Sequence, residues 1–209
     1  MLTLLGLNKI LAVYVGPAGY AVLGQFQSAI QMISTLASGA INTGVTKYTA
    51  EYHEDLARQR EVWQTAGAIA LTGSAVFSFL VFLFRTELAK WFLNEETLAL
   101  VFGWFAATLV LFVFNALLLA ILNGKKDIHR YVAANIAGSV FALLVTSVMV
   151  VHWGMIGALV GFAIFQSLAF FVTLVLCMKT TWFRMNHLVG RVNKEAAKNL
   201  AKYSAMALT

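Results

Sequence analysis

The chain has 209 residues, of which 60% are hydrophobic and 11% are charged. Soluble globular domains carry about 25% charged residues, so this composition excludes an ordinary water-soluble fold. In a soluble protein the net charge of +6 would suggest a nucleic-acid partner, whereas in a membrane protein basic residues report topology. Because Cys177 is the only cysteine, an intramolecular disulfide and a cysteine-based metal cluster are excluded.

Apolar, uncharged runs long enough to cross a bilayer as helices, about 20 residues each, follow one another along the chain. Residues 1–15 form a shorter apolar segment that contains Asn8 and Lys9, and the Gly-Pro-Ala-Gly sequence at residues 16–19 indicates a turn. Full-length runs follow over residues 20–46, 62–84, 97–122, 131–151 and 155–178. The expected fold class is therefore an all-α integral membrane protein, with a six-helix lobe whose first helix is incomplete.

The segments between these runs are of different kinds. Residues 47–61 carry charges of both signs, as in a solvated loop with helical ends. Residues 85–96 alternate charged with aromatic and aliphatic residues, which predicts a short amphipathic element at the membrane interface. Residues 123–130 form a tight basic loop, and residues 152–154 form a connection of minimal length.

The ends of the sequence complete the predicted domain organisation. We expect residues 1–178 to be an amino-terminal transmembrane lobe and residues 179–202 to be a basic cytoplasmic linker. Residues 203–209 turn apolar again and are expected to start a seventh helix, with the second lobe missing.

Basic residues are distributed unevenly among the connections. All but Lys9, Arg85 and Lys90 of the 15 Lys and Arg residues fall within residues 47–61, 123–130 and 179–202. Cytoplasmic loops carry the excess of Lys and Arg. We therefore expect a multi-pass protein of the inner membrane with these three connections and the amino terminus in the cytoplasm.

The sequence gives little support to an enzyme. An active site needs a nucleophile, an acid and a base, or a metal, within reach of one another. The nine carboxylates all lie in predicted connections, the four histidines lie in four different connections, and no zinc, P-loop or nucleophile-elbow motif is present. We expect neither catalysis nor a cofactor, which directs attention to polar residues inside the apolar runs.

A row of polar residues follows one face of the second predicted helix. Its members recur at steps of four, three, four and four residues: Gln27, Gln31, Ser34, Ser38 and Asn42. Lipid cannot satisfy their hydrogen bonds, so the row should face water or other helices. Lining of an aqueous path and interhelical hydrogen bonding both stay open. In either case Ile30, Ile33 and Ile41 should lie toward lipid or neighbouring helices.

Lys9 and Lys47 are the charged candidates for a binding path. A charge at the bilayer centre costs at least about 2.5 kcal/mol, so Lys9 is a functional candidate unless its side chain snorkels to an interface. Lys47 either attracts an anion or anchors the helix end. Single polar residues in the apolar runs are candidates for lining a path or for packing: Asn8, Asn115, Asn135, Ser139 and Gln166.

Two segments carry a resemblance to a known family. The sequences KILAVYVGPAG at residues 9–19 and NTGVTKYTAEY at residues 42–52 resemble the Wzx-type flippases for O-antigen and enterobacterial common antigen. These flippases belong to the multidrug/oligosaccharidyl-lipid/polysaccharide (MOP) exporter superfamily. Residues 124–127, 154–161 and 202–209 also fit, so the similarity spans nearly the whole chain.

The resemblance implies a protein of about twelve helices in two lobes, of which this chain is the amino-terminal one. It implies alternating-access transfer of an undecaprenyl-diphosphate-linked oligosaccharide from the cytoplasmic to the periplasmic leaflet, driven by an ion gradient. Membrane lipid, a glycan polymerase and a chain-length regulator are the other implied partners. Lys9, Gln27, Gln31 and Asn42 would offer hydrogen bonds to the diphosphate.

Two alternatives to a flippase stay open. A drug or metabolite exporter of the same superfamily would favour acidic residues in its cavity. A membrane-embedded glycan polymerase or ligase would favour large periplasmic loops. The positions of the carboxylates and the short predicted outer connections favour the flippase over both.

Overall fold

The computed structural model describes the backbone of residues 2–188, 190 and 193–208, and their side chains except at residues 2–15, 18, 166 and 204–208. The described chain is helical and contains no strand in these ranges, which confirms the all-α fold class. The candidate side chains of Asn8, Lys9 and Gln166 lie outside the described residues.

Seven α-helices and two short 3-10 helices follow one another within the described ranges. The α-helices are α1 Leu2–Ala37, α2 Asn42–Glu51, α3 Leu56–Leu83, α4 Arg85–Leu93, α5 Ala99–Gly124, α6 Ile128–Met178 and α7 Lys194–Leu208. The 3-10 helices are Glu96–Leu98 and Met185–His187. Among the described residues, three helical stretches are long and apolar enough to cross a membrane: Leu56–Leu83, Glu96–Gly124 and Ile128–Met178. The number of crossings in the complete lobe stays a prediction.

Two of the helices contain a glycine whose backbone is not helical. Gly16 in α1 has φ 72° and ψ 176° and is followed by Pro17, and Gly154 in α6 has φ 55° and ψ −132°. Glycine adopts positive φ without a steric penalty, and proline disrupts the helix at the same point. Each helix is therefore two helical segments joined without a loop, at the positions where the sequence indicates a turn.

The second predicted helix, residues 20–46, is not continuous. α1 ends at Ala37, and Gly39 and Ala40 adopt left-handed φ values of 63° and 51° before α2 begins at Asn42. The carbonyl oxygen of Ala37 lies against Gly73 of α3, where a Cβ atom would collide with it. α1 and α3 thus meet through their backbones at this interruption, which we call the break, Ser38–Ile41.

α5 forms the centre of the bundle. Most of the largest fully buried side chains belong to it: Phe102, Phe105, Leu109, Leu117, Leu118, Ile121 and Leu122. α3, α6 and α2 pack around it. Between apolar helices in a membrane, such packing rather than the hydrophobic effect provides the attraction. Large apolar side chains of α3 and α6 remain on the outside of the bundle, among them Phe79, Phe82, Ile136 and Leu144.

Three connections meet at one end of the bundle, which we call the basal end. Gln59, at the start of α3, donates its side-chain amide to the Thr49 carbonyl of α2 at 2.6 Å. Lys125, between α5 and α6, donates to Gln59 Oε1 at 3.1 Å and lies 5.3 Å from the ring centre of Trp182 in the linker. The three segments that hold most of the basic residues therefore lie together.

The linker packs against the bundle instead of running through solvent. The carbonyl of Leu188 lies against Gly67 of α3, and Leu200 of α7 is fully buried. α7 begins at Lys194, inside the segment predicted as linker, and packs on α2 and α3. At the opposite end of α3, the short helix α4 occupies the segment predicted as amphipathic, with Ala89 buried and Trp91 exposed.

Candidate functional site

Two open grooves carry the polar residues that the sequence singles out. The upper groove has a volume of about 530 Å³ and is lined by Gln27, Ser28, Gln31, Met32, Thr35 and Leu36 of α1. The basal groove has a volume of about 560 Å³ and is lined by Asn42, Thr43, Thr46, Lys47, Ala116, Leu119, Ala120, Asn123 and Tyr131. Both grooves are shallow and open on one side, and the upper one is formed by a single helix face.

The upper groove presents two unpaired amides. Gln27 and Gln31 lie one turn apart, both are exposed, and neither side chain makes a hydrogen bond with the described part of the chain. Ile30 and Ile33 lie on the packed face of the same helix and are 6% and 5% exposed. The outer face of α1 is therefore mixed in this region: its two amides lie beside the exposed Met32 and Leu36, and no other helix of the described residues covers it.

The lower half of the predicted polar row turns into the bundle. Ser34 and Ser38 are buried, and their hydroxyls donate to the carbonyls of Gln31 and Thr35 at 3.1 Å and 3.0 Å. Serine hydroxyls in helices often bond to the preceding turn in this way. The two serines are thus satisfied within their own helix, and the break separates them from Asn42.

Residues of three helices build the basal groove. α2 contributes Asn42, Thr43 and Lys47, while Asn123 of α5 and Tyr131 of α6 complete the polar rim. The apolar wall consists of Ala116, Leu119 and Ala120 of α5. No carboxylate lines this groove within the described residues, and Lys47 makes it cationic.

Two features of α5 hold α2 at the groove. The Thr46 hydroxyl lies 3.2 Å from the Ala120 carbonyl and 3.0 Å from the Asn42 carbonyl, both of which can accept its hydrogen bond. Gly124 allows the close approach, because a Cβ atom there would lie 2.6 Å from Thr49 Cβ. Asn42 Oδ1 is buried at the groove without a hydrogen-bond partner in the described chain.

The Lys47 ammonium is held at the rim of the basal groove by α7. It donates a hydrogen bond to the Tyr203 hydroxyl and lies 4.1 Å and 5.0 Å from the ring centres of Tyr203 and Tyr48. Glu51, one turn along α2, lies 3.7 Å away. The hydrogen bond to Tyr203, more than these charges and rings, raises the pKa of Lys47 above its ordinary value. Lys47 is therefore a permanent cation.

Sequence reasoning missed a buried network beneath this groove. Gln59 is fully buried, and Trp63 Nε1 donates to Thr49 Oγ1 at 2.9 Å. Burial lowers the pKa of Lys125, whose ammonium bonds to Gln59. Gln59 and Lys125 each lie among charged residues in segments predicted as connections, so the sequence pattern gives no indication that they meet.

The remaining predicted residues lie apart from the grooves. Asn115 is 5% exposed, and its Oδ1 has no hydrogen-bond partner among the described residues. Asn135 is exposed and donates to the Tyr131 carbonyl, and Ser139 donates to the Asn135 carbonyl, each at 2.8 Å. The polar groove residues that the sequence analysis did not identify are Ser28, Thr35, Thr43, Thr46, Asn123 and Tyr131.

The sequence is similar to a described protein family and to characterised relatives. The model of the polysaccharide biosynthesis protein family matches residues 4–208. The lipid III flippase of Escherichia coli (strain K12) is 27% identical over 201 residues, which cover 96% of this chain and 48% of that protein. The lipid III flippase of Shigella flexneri matches to the same extent. The chain thus spans about half the length of these relatives.

Solved transporters share the fold. A MOP superfamily transporter from Pyrococcus furiosus superimposes with a TM-score of 0.79 at 17% identity, over 97% of this chain and 48% of that one. A multidrug and toxin extrusion (MATE) transporter crystallised with Br-NRF gives a TM-score of 0.74 at 17% identity, over 99% and 49%. The architecture is that of half a MOP transporter, and with its apolar helices the chain is a membrane protein. It belongs to the polysaccharide biosynthesis protein family.

Proposed function

We propose that this chain is the amino-terminal lobe of a flippase that carries an undecaprenyl-diphosphate-linked oligosaccharide across the bacterial inner membrane by alternating access. The basal end faces the cytoplasm in this proposal, because it gathers the connections rich in Lys and Arg. The protein acts as a transporter without chemical change to its substrate. Membrane lipid surrounds it, and a glycan polymerase and a chain-length regulator are the proposed protein partners.

The exposed amides of Gln27 and Gln31 are the observation that carries this proposal. Exposure of an unpaired amide to hydrocarbon is unfavourable, so a membrane helix with such a face borders water, a polar ligand or polar side chains of another helix, and we propose the first two here. Sugars are bound through hydrogen bonds to their many hydroxyls, which amides both donate to and accept from. An amide-lined face therefore suits an oligosaccharide in transit.

The charges of the grooves favour an anionic lipid-linked substrate over a cationic drug. No carboxylate lines either groove in the described part of the chain, and Lys47 lies on the basal one. A cationic substrate would leave Lys47 opposed by a like charge, which is unfavourable at short range. The lipid III flippases that the chain resembles are named for a lipid substrate.

Translocation by a chimaera tests the proposal. The chain replaces the matching half of the E. coli lipid III flippase, and lipid III transfer is measured in membrane vesicles from cells that lack the native flippase. We expect transfer by the chimaera and a loss of at least about tenfold when both Gln27→Leu and Gln31→Leu are present, because two amide contacts are removed. Gln25→Leu, an exposed amide of α1 outside the groove, is the matched control.

Cysteine labelling tests the same face independently of transport. In a Cys177→Ser background, single cysteines at residues 27 and 31 should react with a small membrane-impermeant thiol reagent, while cysteines at residues 30 and 33 should not. Transport by the Gln27→Leu, Gln31→Leu chimaera at the unaltered rate, with no labelling at residues 27 and 31, would contradict the proposed path.

A further inference from the structure

We propose that the basal groove is the site at which the phosphate end of a lipid binds, with Lys47 as its cation and Asn123 and Tyr131 as hydrogen-bond donors. The ligand class is an amphiphile with a phosphate or diphosphate head. This inference rests on the proposed function and adds to it a loading site that is separate from the amide face of the upper groove.

The two sides of the groove match the two parts of such a molecule. Ala116, Leu119 and Ala120 form an apolar wall along α5, which suits the first isoprene units of a lipid chain. The opposite rim carries an ammonium, a phenol and an amide, all of which donate hydrogen bonds to phosphate oxygens. An entirely polar anion would make no use of the wall, and a neutral lipid would make no use of the cation.

The donors at the rim are available to a ligand. Asn123 is exposed, and neither its side chain nor the Tyr131 hydroxyl makes a hydrogen bond within the described chain. Thr46 is different, because its hydroxyl already donates to backbone carbonyls of α2 and α5. The threonine therefore fixes the shape of the groove, while the phenol and the amide are free to contact a ligand.

Lys47 can change partners when a ligand arrives. Its ammonium contacts the Tyr203 hydroxyl and lies 3.7 Å from Glu51, and the Lys47 side chain is 43% exposed. A phosphate is an anionic acceptor and competes well against a neutral phenol for the ammonium. Binding would thus release Tyr203, the residue through which α7 contacts this rim.

Ligand binding to the purified full chain in nanodiscs tests the inference with three probes. Farnesyl diphosphate carries both parts of the proposed ligand, inorganic pyrophosphate carries only the charge, and farnesol carries only the apolar chain. We expect farnesyl diphosphate to bind at least about tenfold more tightly than either of the others, since it alone uses both sides of the groove.

Substitutions at the rim should weaken the binding of farnesyl diphosphate and leave the binding of farnesol unchanged. We expect Lys47→Met to weaken farnesyl diphosphate binding about tenfold and Tyr131→Phe to weaken it about threefold to tenfold, with farnesol binding unchanged. Lys47→Arg should retain most of the affinity because the charge is kept. Lys90→Met is the matched control, since Lys90 also lies beside a glutamate, Glu96 at 2.9 Å, but on α4.

The outcomes separate this inference from the proposed function. Equal binding of pyrophosphate and farnesyl diphosphate, or unchanged affinity in a helical and stable Lys47→Met protein, would overturn the groove as a lipid-phosphate site. A Lys47→Met protein that does not fold is replaced in the comparison by Tyr131→Phe. If the chimaera fails to transfer lipid III while the expected binding pattern is observed, the proposed flippase function is rejected. The basal groove then still stands as a lipid-phosphate site.

Discussion

Gln59 shows how one buried side chain joins segments that lie far apart in the sequence. Its amide nitrogen donates to the Thr49 carbonyl at 2.6 Å, and its oxygen accepts from Lys125 at 3.1 Å. Buried polar groups are costly when a partner is removed, because the group left behind loses its hydrogen bond without regaining water. Gln59 therefore stabilises the basal end as a whole.

Replacement of Gln59 should destabilise the protein strongly. We expect Gln59→Leu to lower the free energy of unfolding by about 2–3 kcal/mol, because the buried Thr49 carbonyl and the partly buried Lys125 ammonium lose their partner. Thermal unfolding in detergent measures the change. Gln64→Leu is the control on the same helix, because Gln64 makes only a long hydrogen bond of 3.5 Å to Asn186. A melting temperature of Gln59→Leu equal to that of Gln64→Leu would be evidence against the network.

Ala40 is a residue whose backbone conformation lowers the stability of the protein. Its left-handed φ of 51° costs a residue with a Cβ atom about 1 kcal/mol relative to glycine. We expect Ala40→Gly to raise stability by up to about 1 kcal/mol, measured by the same unfolding assay. Ala29→Gly, within the regular part of α1, should lower stability by at least a similar amount. A destabilising Ala40→Gly would mean that the break is not left-handed at this residue.

At the scale of elements, the linker is packed on α3, a contact that the sequence does not indicate. Gly67 is the site of closest approach, since the Leu188 carbonyl occupies the space of its missing Cβ atom. Nothing in the sequence distinguishes this glycine from others in the apolar runs. The contact depends on long-range packing, which hydrophobic periodicity does not report.

Alanine substitutions at two helical glycines should therefore have opposite effects. We expect Gly67→Ala to destabilise the protein by about 1–3 kcal/mol, because the linker must move. Gly24→Ala meets no atom within 4 Å, so it should stabilise α1 by about 0.5–1 kcal/mol. The melting temperatures of the two variants, compared with that of the wild type, measure both effects. Similar shifts in both would show that the linker is not docked on α3.

His187 makes the docking of the linker depend on pH. Its Nδ1 accepts from the Arg184 N–H at 3.2 Å, and its ring lies 6.2 Å from that of Trp63. Burial, with the nearby Arg60 and Arg184 charges, lowers the pKa of His187 below its ordinary 6.5. The unfolded chain then binds the proton more readily than the folded protein, so stability is complete above pH 6.5 and falls as the pH falls toward the lowered pKa.

We expect unfolding temperatures to decline below about pH 6.5 and the decline to be smaller in His187→Asn. Asparagine retains an acceptor for the Arg184 N–H without a titrating ring. A decline that is identical in wild type and His187→Asn would assign it to other groups.

At the scale of the whole molecule, the helical fold and the family follow from the sequence, whereas the details of the candidate site do not. Hydropathy locates the apolar helices, and the glycines at residues 16 and 154 mark the two kinks. The break at residues 38–41 lies within a run that contains no charge, so hydropathy does not locate it. The basal groove needs residues from three helices, and Asn123 and Tyr131 enter it only through tertiary packing.

The common location of the basic connections yields a prediction about orientation. Because Gln59, Lys125 and Trp182 lie in one cluster, the three basic connections must be on the same side of the membrane. We expect a reporter that is active only in the periplasm to be inactive when fused after Lys126 and active when fused after Lys90. Activity of the reporter fused after Lys126 would contradict the proposed orientation.

The break separates two parts of the lobe that are held in different ways. Above it, the helix that carries Gln27 and Gln31 is joined to α2 only by four residues, two of them left-handed. Below it, α2 is fixed to α5 by Thr46 and to α3 by Gln59. The break therefore divides this stretch into a part whose two amides are uncovered and a part that is anchored to the core of the bundle.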